Sequence, residues 1–326
     1  MKRISLIAIV LFACSLAYAQ SSEADKLEIM VGGSFAKPKI IPKLNKLALA
    51  QLSVSYKLTT TAKTIGKEKS TGAMAGAELT AYLETTDGEL TEADFQEVTD
   101  YFYRYFQKKL KENGIDTVAW STIAATDFYK NGAGNLDVKA EKGGNVWVTS
   151  TANKGNILYG GNIPFAFGKI KKASKFSEQV GAPAGYFHVT VDFAEVLVNV
   201  NIKTSGGGYD NAFDGFALQK TRSFKYDAKA KADMKVVPTN LGMTLFWNEK
   251  DQGESLVVKG ALQSGEKYED NISQDQARIK SKAFAFNKTM VPVVIETTRD
   301  KYKAAAKKAL EKYAEAFIAK AIAVKA

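Results

Sequence analysis

The sequence predicts an α+β fold (mixed α/β) in which a β-sheet with a long amphipathic hairpin is packed by two long helices. Three observations lead there. Residues 187–202 form one long run of alternating apolar positions, and 224–236 form a regular return strand. Two stretches, 95–110 and 302–317, carry apolar residues at three- and four-residue steps, the period of a helix with one buried stripe. The elements also come in the order strand, helix, strand, hairpins, helix, which suits a mixed architecture with no fixed-period repeat.

The first 19 residues have the three parts of a secretory signal peptide. Lys2 and Arg3 are the positive start, Ile4 to Leu16 is an apolar stretch too short to span a bilayer, and Ala17-Tyr18-Ala19 is an A-x-A cleavage site. Cleavage after Ala19 starts the mature chain at Gln20 and removes Cys14, the single cysteine. An alternative reading takes Leu11-Phe12-Ala13-Cys14 as a lipobox, with bulky Phe12 where a small residue is usual. The sequence thus places the protein outside the cytoplasm, in the periplasm, at the outer membrane or secreted.

Residues 20–45 are polar, with Gly32-Gly33, Pro38 and Pro42, and read as an N-terminal arm. Residues 46–326 read as a single mixed α/β domain with a hairpin excursion at about 196–236. Leu52, Val54, Tyr56 and Leu58 alternate with polar residues and predict a half-buried strand. Thr59 to Ser70 is polar and reads as a loop. Ala77, Leu79, Ala81 and Leu83 predict the next strand. Asp87-Gly88 marks a turn, and Thr91-x-x-Asp94 is a capping box with Asp in place of Glu. The helix that follows buries Phe95, Val98, Phe102, Phe106 and Leu110, ends in lysines that complement its dipole, and stops at Gly114.

Thr117 to Trp120 reads as a strand and Ser121 as the cap of a short helix. Val146-Trp147-Val148 is a strand within a Gly- and Asn-rich stretch, and 171–180 is a short helix closing at Gly181. Phe187, Val189, Val191 and Phe193 then alternate at odd positions, whereas Val196, Val198, Val200 and Ile202 alternate at even ones. That switch predicts a bulge near Ala194-Glu195. On the return strand Phe224, Tyr226, Ala228, Ala230, Ala232, Met234 and Val236 share one face, opposite Lys225, Asp227, Lys229, Lys231, Asp233 and Lys235. A further hairpin is expected around Asp251-Gln252-Gly253. The last helix, capped by Thr297-x-x-Asp300, buries Tyr302, Ala306, Leu310, Tyr313 and Phe317.

Composition narrows the chemistry. Lys and Arg number 45 against 35 Asp and Glu, for a net charge of +10, or +8 once Lys2 and Arg3 leave with the leader. A basic surface suits anionic partners, although the lysines are scattered and export makes nucleic acid an unsuitable one. One His and one Cys exclude a His/Cys zinc site, a disulfide framework and a Cys–His nucleophile pair. No catalytic set, metal site or cofactor motif is expected. His188 lies among alternating apolar residues and reads as structural. Asp87-Gly88-Glu89 with Asp94 echoes half of a calcium loop, but Leu83 stands where the first ligand is needed. Glu92/Asp94 and Asp210/Asp214 are the acid pairs a carboxylate-dependent hydrolase would draw on.

The most specific functional candidate is the hairpin: Val196, Val198, Val200 and Ile202 on one strand, Phe224, Tyr226, Ala228, Ala230, Ala232 and Met234 on the other. Nine to eleven alternating residues with aromatics near the end fit a membrane β-strand, and the same alternation fits a sheet with one wet face.

Two segments carry a family resemblance. The strand at 47–58, the helix at 92–113 and Gly114-Ile115-Asp116-Thr117-Val118 resemble the opening elements of the curli-secretion-channel (CsgG-like) family and of the TolB amino-terminal domain. Gln179 to Val189, through Gly181-Ala182-Pro183, is similar to their helix end and following strand. The resemblance spans most of 45–265, with Pro183-Ala184 where those families have an acid. It implies a periplasm-facing α/β domain that oligomerises or binds envelope proteins, with no catalytic residues. Three functions follow as expectations: a non-catalytic envelope protein acting by protein binding or self-assembly, an oligomeric outer-membrane secretion channel, and a secreted hydrolase.

Overall fold

The computed structural model describes residues 27–31, 39–68, 74–130, 139–155, 175–205, 221–237, 243–247, 253–258, 260–279 and 287–325. Within them the chain is a mixed α/β fold with two sheets. The leader, its Ala19/Gln20 cleavage point, Cys14, Gly206 to Gly208 and the Asp210/Asp214 pair lie outside the described residues.

The larger sheet is built on β2 (Lys46–Lys57) and β8 (Ala184–Ser205), which run parallel. Beside β2 lie β5 (Asp116–Thr117), parallel, and β7 (Asn145–Thr151), antiparallel, and β7 in turn holds β6 (Lys139–Lys142). On the other side β8 pairs antiparallel with β9 (Thr221–Val237) and with β10 (Met243–Trp247), which forms the expected hairpin with β11 (Gly253–Val258). β12 (Leu262–Gln263) pairs with the end of β9. The segment read as a polar arm contributes β1 (Leu27–Val31), paired with β11, and a short 3-10 turn at Ile41–Lys43. The second sheet centres on β4 (Met74–Thr85). Its neighbours are β3 (Thr59–Lys67), antiparallel, and β14 (Asn287–Thr289) and β15 (Val293–Thr297), both parallel; β13 (Asn271–Gln274) adds to β15.

Two long helices, α1 (Glu92–Glu112) and α5 (Arg299–Lys325), lie together over one face of β2 and β8. Their predicted stripes are buried, and Phe106, Phe187 and Phe317 meet with ring centroids 4.9–5.3 Å apart. Between the helices Tyr101 donates to Glu311 at 2.5 Å and Tyr105 to Glu315 at 2.7 Å. Tyr101 and Tyr105, one helical turn apart, also stack. The opposite face of the sheet start is closed by α2 (Trp120–Ala124), α3 (Asp127–Lys130) and α4 (175–180), over Ala48, Ala50, Ala184 and Tyr186.

The capping box is present: Asp94 N–H donates to Thr91 Oγ1, and Thr91 N–H to Asp94 Oδ2 at 2.8 Å. Gly114 follows α1 with φ +72°, and Gly181 follows α4 with φ +61°. Three local expectations are corrected. Trp120 begins a helix rather than ending a strand, and Ala119, not Ser121, stands at its start. The hydroxyl near the start of α5 that receives the Lys301 N–H is that of Thr298, because Thr297 Oγ1 is committed to the Tyr268 carbonyl at 2.6 Å. Residues 59–67 are strand β3 rather than loop.

The parity switch in β8 has a different cause from the one its spacing suggested. Even residues face the second sheet throughout, from Asp192, whose Oδ1 accepts from Thr60 Oγ1 at 2.6 Å, to Val200, which lies against Gly66. Odd residues through Phe193 are buried on the helix side, but beyond it Asn199, Asn201 and Lys203 are exposed and Leu197 is 41% exposed. One strand therefore changes from two buried faces to one, with no flip of its own. The irregularity lies across the ladder: Asp192 pairs with Lys235 and Ala194 with Ala232, so the extra residue sits in β9.

Candidate functional site

Two places combine placement with chemistry: the outer half of the β8–β9 hairpin and a buried polar seam on β2, β7 and β8.

In the hairpin Val196 pairs with Ala230, Val198 with Ala228, Val200 with Tyr226 and Ile202 with Phe224. These eight residues, with Ala232 opposite Ala194, thus share one face; Met234 does not, because the extra residue in β9 between Ala232 and Lys235 turns it, with Val236 opposite Val191, to the helix side. The shared face is not open. Val196, Val200, Tyr226, Ala228, Ala230 and Ala232 are half-buried against the core, and Val198 is buried. A Cβ on Gly66 would come within 2.7 Å of the Val200 carbonyl oxygen, so β3 packs directly on β8. Lys288 of the second sheet lies over the Tyr226 ring at 5.2 Å. Phe224, 38% exposed, is the least covered of the set.

The opposite face carries Lys225, Asp227, Lys229 and Lys231, all exposed, beside Leu197, Asn199 and Asn201. Lys231 reaches Glu195 directly across the ladder at 2.7 Å. Along its other edge, among the described residues, β9 meets a strand only at Lys235 and Val236, which pair with β12, and Ser264 N–H donates to the Met234 carbonyl. From Thr221 to Asp233 that edge has no strand neighbour among the described residues. A row of main-chain donors and acceptors there is a template for another strand.

The polar seam was not expected beyond His188. On the face of the sheet that points away from α1 and α5, Ser53 Oγ lies 2.9 Å from His188 Nδ1 and Ser55 Oγ 3.4 Å from Nε2. Gln51 Nε2 donates to Ser53 Oγ, Ser53 donates to the Phe187 carbonyl, and Thr149 Oγ1 lies 2.7 Å from Ser55 Oγ. Donor counting assigns the tautomer. Ser53 spends its proton on Phe187, so Nδ1 carries the ring proton and donates to Ser53; Nε2 then accepts from Ser55, which accepts from Thr149. Each hydroxyl is used and the ring is neutral. Burial pushes the His188 pKa down to about 4.

This arrangement does not prepare a nucleophile. Ser55 donates to Nε2 over a long contact, and Nδ1 faces a hydroxyl rather than the carboxylate that would orient and stabilise an imidazolium. All these side chains are buried. The strand period of two, with Ser53 and Ser55 on one face, was the signal available in the sequence.

Asp192 sits farther along the same face, bonded to Lys57 Nζ at 2.7 Å and to Thr60. Asp94 serves two helix ends: both its oxygens lie 2.8 Å from Arg299 Nη2, while Oδ2 also holds Thr91. Burial raises its pKa, but the bonds from Arg299 and Thr91 outweigh that and hold it at about 2. Glu92 is exposed, so the Glu92/Asp94 pair does not converge on one site. Among the described residues no group of three or more His, Cys, Asp or Glu is placed to hold a metal ion, and no helix is long and apolar enough to cross a membrane.

The chain matches no known family model, no curated protein and no solved structure. The likeness to the curli-secretion-channel and TolB families therefore rests on the quoted residues alone.

Proposed function

We propose that this is an exported cell-envelope protein that acts without catalysis, by binding other proteins or assembling with them through the β8–β9 hairpin. The observation that carries the reading is the edge of β9 from Thr221 to Asp233, which extends past the buried end of the helix layer and has no strand neighbour among the described residues. The leader-like first 19 residues and the net positive charge are consistent with work at an envelope surface. The polar seam supports the non-catalytic side, because its hydroxyls and imidazole satisfy one another.

An outer-membrane channel built from the same hairpin requires Val196 to Ile202 and Phe224 to Ala232 to face lipid. In this chain Val196, Val198, Val200, Tyr226, Ala228, Ala230 and Ala232 are packed against the core, so insertion requires the hairpin to leave the second sheet.

Envelope fractionation of the native host followed by a carbonate wash tests both. A carbonate-released protein that co-purifies with envelope partners, or with itself, agrees with the assembly reading. A carbonate-resistant, ring-sized oligomer replaces it with the channel, and a protein confined to the cytoplasm removes both.

A further inference from the structure

We infer that the occupant of the open β9 edge is a second copy of this chain, paired antiparallel across a two-fold axis at Lys229. The inference rests on the assembly reading above and names its partner.

The argument is one of register. An isologous strand pair places residue i opposite a fixed complement, so a chain that pairs with itself must be complementary to its own reverse. On the solvent face β9 reads Lys225, Asp227, Lys229, Lys231; Asp233, at the irregularity of β9, is already held by Lys235 at 3.2 Å and by Gln263 at 3.1 Å. Centred on Lys229, Asp227 faces Lys231 of the other copy, a pair that occurs twice; only Lys229 meets its like, and Lys225 falls opposite the irregularity where Asp233 is already partnered. The apolar face closes in the same register: Tyr226 stands opposite Ala232 and Ala228 opposite Ala230, large against small and small against small. Centring on Asp227 opposes Lys225 to Lys229 and leaves no ion pair, and centring on Lys231 draws on Asp233 and Lys235, which already bond each other. In-register parallel stacking sets every lysine on a lysine. Cross-strand opposite charges stabilise and like charges oppose, so the pattern selects one arrangement and blocks the indiscriminate pairing an open edge invites.

The surroundings permit it. Lys225, Asp227 and Lys229 are exposed, and none has an ion-pair partner among the described residues. Lys231 already bonds Glu195, so an incoming Asp227 would complete an acid–base–acid row. β12 bounds the free edge at Met234 and its Gln263 reaches Asp233, so the register uses residues 226–232. Seven residues per strand give about 23 Å of ladder. The outer edge of β8 offers less: only Glu195 and Lys203 are complementary there, and Glu195 is held by Lys231.

The test uses the full chain in a Cys14→Ser background. Sedimentation across a concentration series reads the mass, and oxidative crosslinking reads the register. Lys229→Cys should form a disulfide-linked dimer, because residue 229 faces itself at a distance a disulfide spans. Asp227→Cys alone should not, since its two copies lie about 14 Å apart, but mixed with Lys231→Cys it should give the heterodimer. Asp227→Lys should weaken the dimer about tenfold or more, with an unchanged circular dichroism spectrum and melting temperature as the folding control. Equal crosslinking of Lys229→Cys and Asp227→Cys would overturn the antiparallel register. A chain that stays monomeric throughout but still retains envelope proteins overturns the two-fold and leaves the assembly reading standing; a chain that does neither sinks both.

Discussion

Gly66 of β3 lies against Val200 of β8 so closely that a Cβ would reach 2.7 Å from the Val200 carbonyl oxygen and 3.2 Å from its Cβ. This contact seats the hairpin on the second sheet, and it defines the first prediction. Gly66→Val should force the sheets apart, as added methyl groups do in a packed interior, and cost about 1–3 kcal/mol. Hydrogen exchange reads the location. Amides of 194–205 and 221–232 should lose protection while those of α1 and α5 keep theirs. Uniform loss across the molecule, or none, would show that Gly66 does not hold the hairpin.

That contact also explains why β3 was illegible in the sequence. Its inward residues are Ala62, Thr64 and Gly66, and its outward ones Lys63, Ile65 and Lys67. The alternation is one of size, and the largest apolar residue, Ile65, points to solvent at 66% exposure. A pattern of apolar against polar residues carries no trace of it. The helices were legible because α1 and α5 each bury a full stripe on a 3.6-residue period, and the Thr91/Asp94 box depends on local spacing alone. The parity of β8 misled for a tertiary reason: the helix layer ends at Phe193, and nothing in the strand itself marks where its cover stops. The hairpin residues were found, whereas the cover of their apolar face was not, because the covering strand was the unreadable one.

The buried His188 makes stability depend on pH. Its folded pKa is held down to about 4 by burial, below its ordinary 6.5. Between those values the unfolded chain binds a proton that the folded chain refuses, so stability is full above about pH 6.5 and falls as the pH drops toward 4. The loss at full expression is on the order of 3 kcal/mol. Urea midpoints from pH 7.5 to 4 measure it. His188→Gln should flatten the curve between pH 6.5 and 4.5 even if it lowers the midpoint throughout; an unchanged slope would assign the dependence to carboxylates.

Asp94 ties the first turns of α1 and α5 through Thr91 and Arg299. Asp94→Asn keeps the shape but loses the charge, weakening the bonds from Arg299 and the cap together. The expected loss is about 1–3 kcal/mol. The sign with pH is opposite in detail to that of a raised group. The folded pKa lies at about 2, below its ordinary 3.8, so this contribution is present above about pH 4 and lost as the pH falls through 2. Double-mutant cycles with Arg299→Gln at pH 7 and at pH 2 separate the pair from the cap. A coupling that persists unchanged at pH 2 would refute the ionic account.

Glu254 of β11 anchors the entry of the chain into the domain. Its carboxylate is buried and accepts from the main-chain N–H groups of Lys39, Ile40 and Ile41, the last two at 2.7 and 3.0 Å. Three donors converge there because the 3-10 turn at Ile41–Lys43 leaves its first N–H groups without partners inside the turn. Glu254→Ala strands those donors in the interior, and each unmet buried donor costs about 1–3 kcal/mol unless water enters. Glu254→Gln keeps one good acceptor oxygen and should lose less. If the carboxylate is the anchor, limited proteolysis of the alanine variant should cut near 39–44 before it cuts α1 or α5, and the glutamine variant should fall between it and the parent. Cleavage at the same sites and rates in all three would mean that Ile40, Ile41 and Leu44, buried in the core, hold the segment by packing alone.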